Sequence, residues 1–565
     1  MNFKLEIAKE ICKVVKEDDV NLCFDMLETP PNPELGDYAY PCFKLAKEFK
    51  KAPPLIAQEL CESFSESKYI GKVVAVGPYL NFFLNNEVYI KGIVTEVLEK
   101  GEHFGDSTLG EGKMIVLDYS SPNIAKTFHI GHIRSTGIGN ALKNVYKKLG
   151  YDTFGINYLG DWGTQFGKLI VAYKKWGDKE KTERDGVIEL TRIYVKFHDE
   201  AEKDDSLNDE ARSWLVKMQD GDEEALALWG WFKEISLREF NRIYDRLGVS
   251  FDSFDGESFF NDKMKPVVEE IDRKGLLKES QGAKIVDLEE FNLPPCLILR
   301  SDGGTLYPTR DISAALYRKK TYNFHKAVYV TAVDQKVHFE QWFKVIELMG
   351  YEWASELTHV PFGLVSLENG KLSTRKGNVV SMEELLDEAI QKTLTIIEDK
   401  NPNLEGKEQV ARDVGIGAII FNDLYNSRIK DVLFSWERIL NFDGETGPYV
   451  QYTHARACSV LEKANYVKKS DVDFSLVTDS STLALVKLFD TFEEKLENVA
   501  KKDEPYLLTR HLVDISKAFN KFYHNNIILT DDENLKQARL AIVECTRNVL
   551  EIGLNLLGIN APKKM

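Results

Sequence analysis

The chain has 565 residues, 43% of them hydrophobic and 29% charged, enough for three or four cores of ~100–200 residues each. Its formal net charge of −17 argues against a non-specific nucleic-acid coat, whose affinity comes from Lys and Arg displacing counterions, but it leaves room for cations gathered on one face. No apolar run nears the ~20 residues that span a bilayer, residues 1–6 lack a signal-peptide pattern, and the seven cysteines (12, 23, 42, 61, 296, 458 and 545) contain no CxxC pair, so membrane, disulfide-framework and cysteine–zinc classes are set aside and a cytoplasmic location is expected.

Residues 1–110 read as a small α+β domain. Leu5, Ile7, Ala8, Ile11, Val14 and Val15 predict an amphipathic opening helix, Pro30–Pro33 and Gly36–Asp37 are turn chemistry, and Val73–Val76 and Leu80–Leu84 predict strands. Tyr38, Tyr40 and Phe43 lie close to Lys44, Lys47, Lys50 and Lys51. Such interleaving suits stacking on RNA, and it equally suits a core-facing aromatic set below a solvated lysine face.

The centre of the chain is the run from Asp118 to Ser135. Met114–Leu117 predicts a buried strand, and Ile138, Leu142, Val145 and Leu149 predict a helix that Gly150 ends. His129, Gly131 and His132 then stand at a helix N-terminus, where free N–H groups and the helix dipole favour an anion such as a triphosphate, and where Gly131 lets the ligand approach the backbone. Asn157–Gly167 is a glycine-rich loop opening a helix at Leu169, either a turn or a pocket wall. From about residue 175 the chain becomes charged, as at Asp178–Lys181 and Glu202–Asp205, and reads as an insertion of solvated helices to about 300 with no visible chemistry.

Leu297–Arg300, a turn at Ser301–Gly304, Tyr307–Ser313 and the β-rich Ala327–Val330 continue the alternation of strand with helix. That alternation predicts a doubly wound parallel sheet over 111–380, with Tyr307, Asp311 and Gln335 near strand C-termini and facing the crevice beside His132. Lys371–Asn378 is a basic, glycine-ended loop able to swing its cations onto a leaving pyrophosphate; a solvated charge run is the alternative. Residues 381–440 predict helical connections with a close approach at Gly415–Ala418. In 441–565, Leu535, Ala538, Ile542, Cys545, Val549, Ile552 and Leu556 form the core stripe of a helical bundle.

His129-Ile130-Gly131-His132 at the start of a helix resembles the signature of class I aminoacyl-tRNA synthetases, and the wider run from Ser121-Pro122-Asn123 to Lys126 and on to Ser135 is similar to arginyl-tRNA synthetases. Gly447–Tyr452 and Gly558–Pro562 resemble that family's anticodon-binding domain, and Gly36–Ala39 with the following lysines resembles its N-terminal domain, which contacts the tRNA elbow. Lys371–Arg375 is similar to the second class I signature, Lys-Met-Ser-Lys-Ser, but has Leu372, Thr374 and Arg375 in place of Met, Lys and Ser. Lys126 is favoured over Lys376 for the missing cation. The resemblance covers nearly the whole chain and is weakest between about 175 and 290.

The resemblance implies a multidomain α/β protein: a Rossmann-like class I catalytic domain (111–380), a small α+β N-terminal domain (1–110), a connecting region (381–440) and a C-terminal all-α anticodon-binding bundle (441–565). It implies ATP-dependent ligation of L-arginine to tRNA(Arg) through an arginyl-adenylate, with ATP as substrate, Mg²⁺ as cofactor, and no DNA or membrane partner, by a monomer. By resemblance the catalytic residues are His129, His132, Lys126, Lys371 and Arg375. Asp118, Ser121, Pro122, Asn123, His132, Tyr307, Asp311 and Gln335 bind arginine, with Asp118 and Asp311 facing its guanidinium. His129, Gly131, His132, Lys371, Ser373 and Arg375 bind ATP, and Tyr38, Lys44, Lys47, Tyr449, Gln451 and Arg456 contact tRNA. The family's habit of activating arginine only once tRNA is bound is also expected. A class I enzyme of the cysteinyl type would show a metal-ligand cysteine cluster, a small-molecule nucleotidyl transferase would not need the two terminal domains, and a non-catalytic tRNA-binding paralogue would be expected to lose a signature histidine.

Overall fold

Strand β1 (Met114–Asp118) has four of its five residues buried, as a strand covered on both faces requires. In this computed structural model, which describes residues 2–64, 67–301, 303–367 and 381–565, β1 belongs to a four-stranded parallel sheet with β2 (Asp152–Ile156), β3 (Lys326–Ala332) and β4 (Leu357–Phe362). The spatial order is β4-β3-β1-β2. The chain leaves β1 for β2 and returns to pair β3 on the other side of β1, so β1 and β3 flank a topological switch point, where an open parallel sheet presents its ligand crevice.

Helix α1 (Gly131–Lys148) joins β1 to β2, and α2 (Thr164–Trp176) follows β2. The inserted residues hold further helices, among them the 25-residue α3 (Glu223–Leu247), and an antiparallel sheet of Leu277–Ser280, Ala283–Val286 and Cys296–Leu299. The run at 297–300 thus belongs to a separate sheet. Tyr307 and Asp311 consequently reach the crevice from a helix, α4 (Tyr307–Tyr322), and not from a strand end. The local signal for that start is Pro308, whose fixed φ and missing N–H suit a first helical turn. After β3, α5 (Lys336–Leu348) leads to β4, and its Trp342, Val345 and Ile346 pack with Val116, Ala327 and Tyr329 in a continuous apolar cluster. Helices α6 (Met382–Lys400) and α7 (Lys407–Leu424) approach closely because position 415 is glycine: a Cβ there would lie 2.9 Å from the Ala389 carbonyl.

All of these elements belong to one compact unit, Gly105–Tyr452 with Glu493–Val513 and Gly553–Met565. A second unit comprises Met1–Phe104, Thr453–Phe492 and Asp514–Ile552. Its three-stranded antiparallel sheet (Tyr38–Pro41, Ile70–Val76, Tyr79–Leu84) packs with the helix Phe3–Val15 and the helix Asn86–Lys100. Side chains tie the first 104 residues to the later segments: the Tyr89 hydroxyl donates to Asp490 Oδ2 at 2.9 Å, Lys487 pairs with Asp37 at 2.5 Å, and the Cys545 thiol donates to the Val94 carbonyl at 3.6 Å. The seven cysteines are free thiols, and among the described residues no helix is long and apolar enough to cross a membrane.

Candidate active site

A cavity of about 950 Å³ opens at the switch point, lined by Asp118 at the end of β1 and by Val330, Thr331 and Ala332 at the end of β3. The loop from β1 into α1 forms one wall and is conformationally strained: Ser120, Ser121 and Ala125 have φ of 70°, 48° and 58°, a region that costs a non-glycine residue ~1–3 kcal/mol. Hydrogen bonds hold it there. Ser120 N–H donates to Ser135 Oγ, the Thr136 hydroxyl donates to Ser120 Oγ, Ser120 Oγ also meets the Tyr244 hydroxyl at 2.7 Å, and Ala125 N–H donates to Ser236 Oγ. Tyr244 and Ser236 come from α3, so the charged insertion supports the strained loop. The Asn157–Gly167 loop closes over the same wall. Gly160 exchanges backbone hydrogen bonds with Pro122 and Ile124, and a Cβ at Gly160 would fall 1.8 Å from Asn123 Oδ1.

At the start of α1 the two histidines stack with ring centroids 3.9 Å apart. Gly131 N–H donates to His129 Nδ1 and His129 N–H donates to His132 Nδ1, each at 3.1 Å. The expected free N–H of Gly131 is therefore capped by an imidazole, and a Cβ at Gly131 would sit 2.8 Å from that ring. Both Nδ1 atoms are acceptors, so each neutral ring carries its proton on Nε2. Burial, and then the neighbouring His129, pushes His132 down to about 3; burial, and then Lys126, also lowers His129. The pair offers neutral N–H donors, not cations.

The same cavity is lined by carboxylates. One face of α4 contributes Tyr307, Asp311, Ala314 and Arg318. Asp311 Oδ2 is 2.6 Å from His338 Nε2 on α5, and exposed Gln335 lies nearby on the rim. Asp118 accepts from the Ser121 hydroxyl at 2.9 Å and pairs with Arg318 at 2.8 Å, so both its oxygens already have partners. Glu257, from the insertion, is pushed up to about 7, chiefly by burial, against the pull of Arg310 at 3.5 Å. The adjoining Ser258 is held by wholly buried Asp161, which accepts from its N–H at 2.8 Å and its hydroxyl at 2.7 Å and pairs with Lys233 at 2.6 Å. Glu257, His338 and Arg318 line the cavity without having been singled out in the sequence.

The structure brings Asp118, Ser121, Asn123, His129, Gly131, His132, Tyr307, Asp311 and Gln335 to this one cavity. Pro122 is buried behind the wall and Lys126 is exposed beside the lining, while Lys371, Ser373 and Arg375 lie outside the described residues. Of the residues expected at RNA, Lys44 and Lys47 are exposed and Tyr38 and Tyr449 are half-buried. Arg456 donates to Asn520 Oδ1 at 2.6 Å. Gln451 is a correction: it is 0% exposed, and its amide donates to the carbonyls of Asp413 and Asn560, in a space that Gly417 leaves open. Tyr40, at 2% exposure, likewise belongs to the core, while Phe43 is exposed. Among the described residues no group of three His, Cys, Asp or Glu could hold a metal ion.

Three family descriptions match the chain: "Arginyl tRNA synthetase N terminal domain" over residues 1–84, "tRNA synthetases class I (R), catalytic domain" over 93–436, and "DALR anticodon binding domain" over 450–565. The arginine–tRNA ligases of Halothermothrix orenii and Clostridioides difficile are 54% and 52% identical to it, in each case over 100% of both chains. Among solved structures, the arginyl-tRNA synthetase of Thermus thermophilus superposes with a TM-score of 0.79 at 25% identity, covering 99% of each chain, and that of Plasmodium falciparum shares the fold with a TM-score of 0.78. With a parallel sheet that opens its cavity at the switch point behind His129 and His132, and with relatives of this identity along its whole length, the chain belongs to the arginyl-tRNA synthetases, a class I family.

Proposed function

We propose that this protein ligates L-arginine to tRNA(Arg) in two steps within the β1/β3 crevice. The arginine carboxylate attacks the α-phosphorus of ATP and expels pyrophosphate; a ribose hydroxyl of the tRNA 3′ adenosine then attacks the acyl carbon and expels AMP. The observation that carries the reading is one cavity lined both by acids and by neutral imidazole donors, matched to a cationic amino acid and an anionic nucleotide. The planar guanidinium finds carboxylates in Asp311 and Glu257, to which it can donate through two parallel N–H groups, as a lysine ammonium cannot. Ser121, Asn123, His132, Tyr307 and Gln335 hold the rest of the amino acid. His129 and His132 donate through Nε2 to the phosphate oxygens whose charge grows at the crowded phosphorus, while Gly131 leaves room beside them.

Any magnesium is held chiefly by the phosphate oxygens, with one or two carboxylates at most. Lys371, Ser373 and Arg375, with Lys126, meet the leaving pyrophosphate, and exposed Lys44 and Lys47 with Tyr38, Tyr449 and Arg456 meet tRNA. The enzyme works as a cytoplasmic monomer. The test is ATP–pyrophosphate exchange with each amino acid, in the presence and absence of tRNA, alongside sizing in solution. With tRNA present, exchange is expected with L-arginine and with no other amino acid, and exchange driven by another amino acid overturns the reading.

A further inference from the structure

The floor of the cavity holds a guanidinium that belongs to the protein. Arg318, 2% exposed, pairs through Nη1 with Asp118 Oδ2 at 2.8 Å. Its guanidinium carbon lies 5.1 Å from the Tyr158 ring centroid and 5.5 Å from that of Tyr329, so aromatic faces flank the cation. Arg318 Nη2 has no hydrogen-bond partner among the described residues, which leaves Asp118 as its anionic anchor. On the other side of the pair, Asp118 Oδ1 accepts from the Ser121 hydroxyl, and Ser121 Oγ in turn accepts from Tyr158 N–H at 3.2 Å. A chain of contacts thus runs from Arg318 through Asp118 to the strained Ser121.

We propose that Arg318 is a specificity-determining positioning residue: it claims the Asp118 carboxylate, so that a substrate guanidinium has open acids only at the Asp311 end of the cavity. The assignment rests on the arginine reading given above. Asp311 and Arg318 lie seven residues apart on one face of α4, ~10 Å along the helix axis at 1.5 Å per residue. Were Asp118 unpaired, a cationic substrate would meet acids at both ends of this stretch and could settle with its carboxylate away from the histidines. With Arg318 in place the deep end is electrically neutral, and the substrate can lie in one direction only. Asp118 then serves to fix Ser121 and Arg318, not to bind the substrate's own guanidinium.

The test is steady-state arginine-dependent pyrophosphate exchange by the full chain with saturating tRNA, comparing wild type, Asp118→Asn, Arg318→Gln, Arg318→Lys and the double variant Asp118→Asn/Arg318→Gln. Each neutral single variant leaves one buried charge unpaired and should lower kcat/KM for arginine by about two orders of magnitude, with the KM for ATP unchanged. In Arg318→Gln, kcat and the KM for arginine should in addition fall together, as bare Asp118 captures arginine in an unproductive pose. The double variant removes both charges and should return to within about tenfold of wild type, because a buried pair replaced as a pair costs little. Arg318→Lys, which keeps the charge without the planar fork, should retain more activity than Arg318→Gln. A double variant no better than Asp118→Asn would show that Asp118 touches the substrate and would overturn the proposal. Should the single variants fail to fold, the double variant, free of unpaired charge, still decides. A wild-type enzyme that activates no arginine fails earlier, and takes the function and this assignment with it.

Discussion

The two walls of the cavity prepare for opposite charges by different means. The acid wall carries formal charge: Asp311 and Glu257 are carboxylates set against His338 and Arg310, and Asp118 is neutralised by Arg318. The imidazole wall carries none, since burial keeps His132 neutral down to about 3 and lowers His129 as well. The difference follows from what each ligand brings. A guanidinium arrives without a counterion, so the protein must hold the anion permanently and bear its desolvation. A triphosphate arrives with a metal ion, so the protein needs only oriented donors that strengthen as charge develops, and neutral N–H groups do this without repelling the metal.

The largest effect that would break this comparison is loss of the open acid. Asp311→Ala leaves a bound guanidinium partly unpaired, at a cost of ~3–5 kcal/mol, and should reduce arginine activation by roughly two to three orders of magnitude while the KM for ATP stays constant. An unchanged KM and kcat for arginine would remove Asp311 from the site. Next comes the donor wall. His132→Asn removes the Nε2 donor and should lower kcat by about a hundredfold, with a smaller rise in the KM for arginine, which His132 also holds. Because His132 is held at about 3, wild-type kcat should show no inflection from this group between pH 5 and 9; an inflection near 6.5 that His132→Asn abolishes would mean a titrating imidazole.

How well each wall could be read from the chain tracks how local its contacts are. The imidazole wall is one contiguous run, so His129, Gly131 and His132 follow from a strand, a loop and a helix start. The acid wall is assembled from distant pieces. Asp311 and Tyr307 were expected near strand C-termini, whereas both stand on α4, whose start only Pro308 marks. Glu257 sits in a charged insertion whose composition pointed to solvent, and it becomes a pocket residue only because Asp161, nearly a hundred residues earlier, captures Ser258, and because a Cβ at Gly256 would lie 2.5 Å from the Leu159 carbonyl. Arg318 was hidden by ordinary helical spacing, since a buried arginine is recognisable only through its partner on β1. Gln451 erred the other way: a polar residue in a family-like motif was assigned to RNA, although the room beside Gly417 draws it into the core. The association of residues 1–104 with two C-terminal segments is equally a matter of contacts that no local pattern carries.

A smaller effect should come from the wall that both ligands share. In Gly160→Ala the new methyl would meet Asn123 Oδ1 at 1.8 Å, forcing the amide or the loop aside. Overpacking of this kind costs ~1–3 kcal/mol. With Asn123 displaced, the KM for arginine should rise by about tenfold, and stability measured by urea unfolding should fall modestly. If arginine kinetics remain those of the wild type, Asn123 does not hold the substrate.

The subtlest prediction uses Glu257, whose carboxyl burial raises to about 7. Burial raises its carboxyl from 4.5 to about 7, outweighing Arg310, with Asp311 and Asp161 pushing the same way. In the ligand-free enzyme the sign is that of a raised acid: an unfolded chain releases this proton near 4.5 and the folded one near 7, so the stability that Glu257 contributes is complete below about 4.5 and is lost as pH rises to about 7. Arginine binding has the opposite slope, since a guanidinium pairs with the ionised carboxylate. The KM for arginine should therefore fall as pH rises through about 7, by up to about tenfold per pH unit on the acid side, and then level off. Arginine should also raise the melting temperature more at pH 8 than at pH 6. Glu257→Gln should flatten both profiles while changing the KM only several-fold at neutral pH, because Asp311 still pairs the guanidinium. A pH dependence that survives in Glu257→Gln would place the titrating group elsewhere, and the acid wall would then reduce to Asp311 alone.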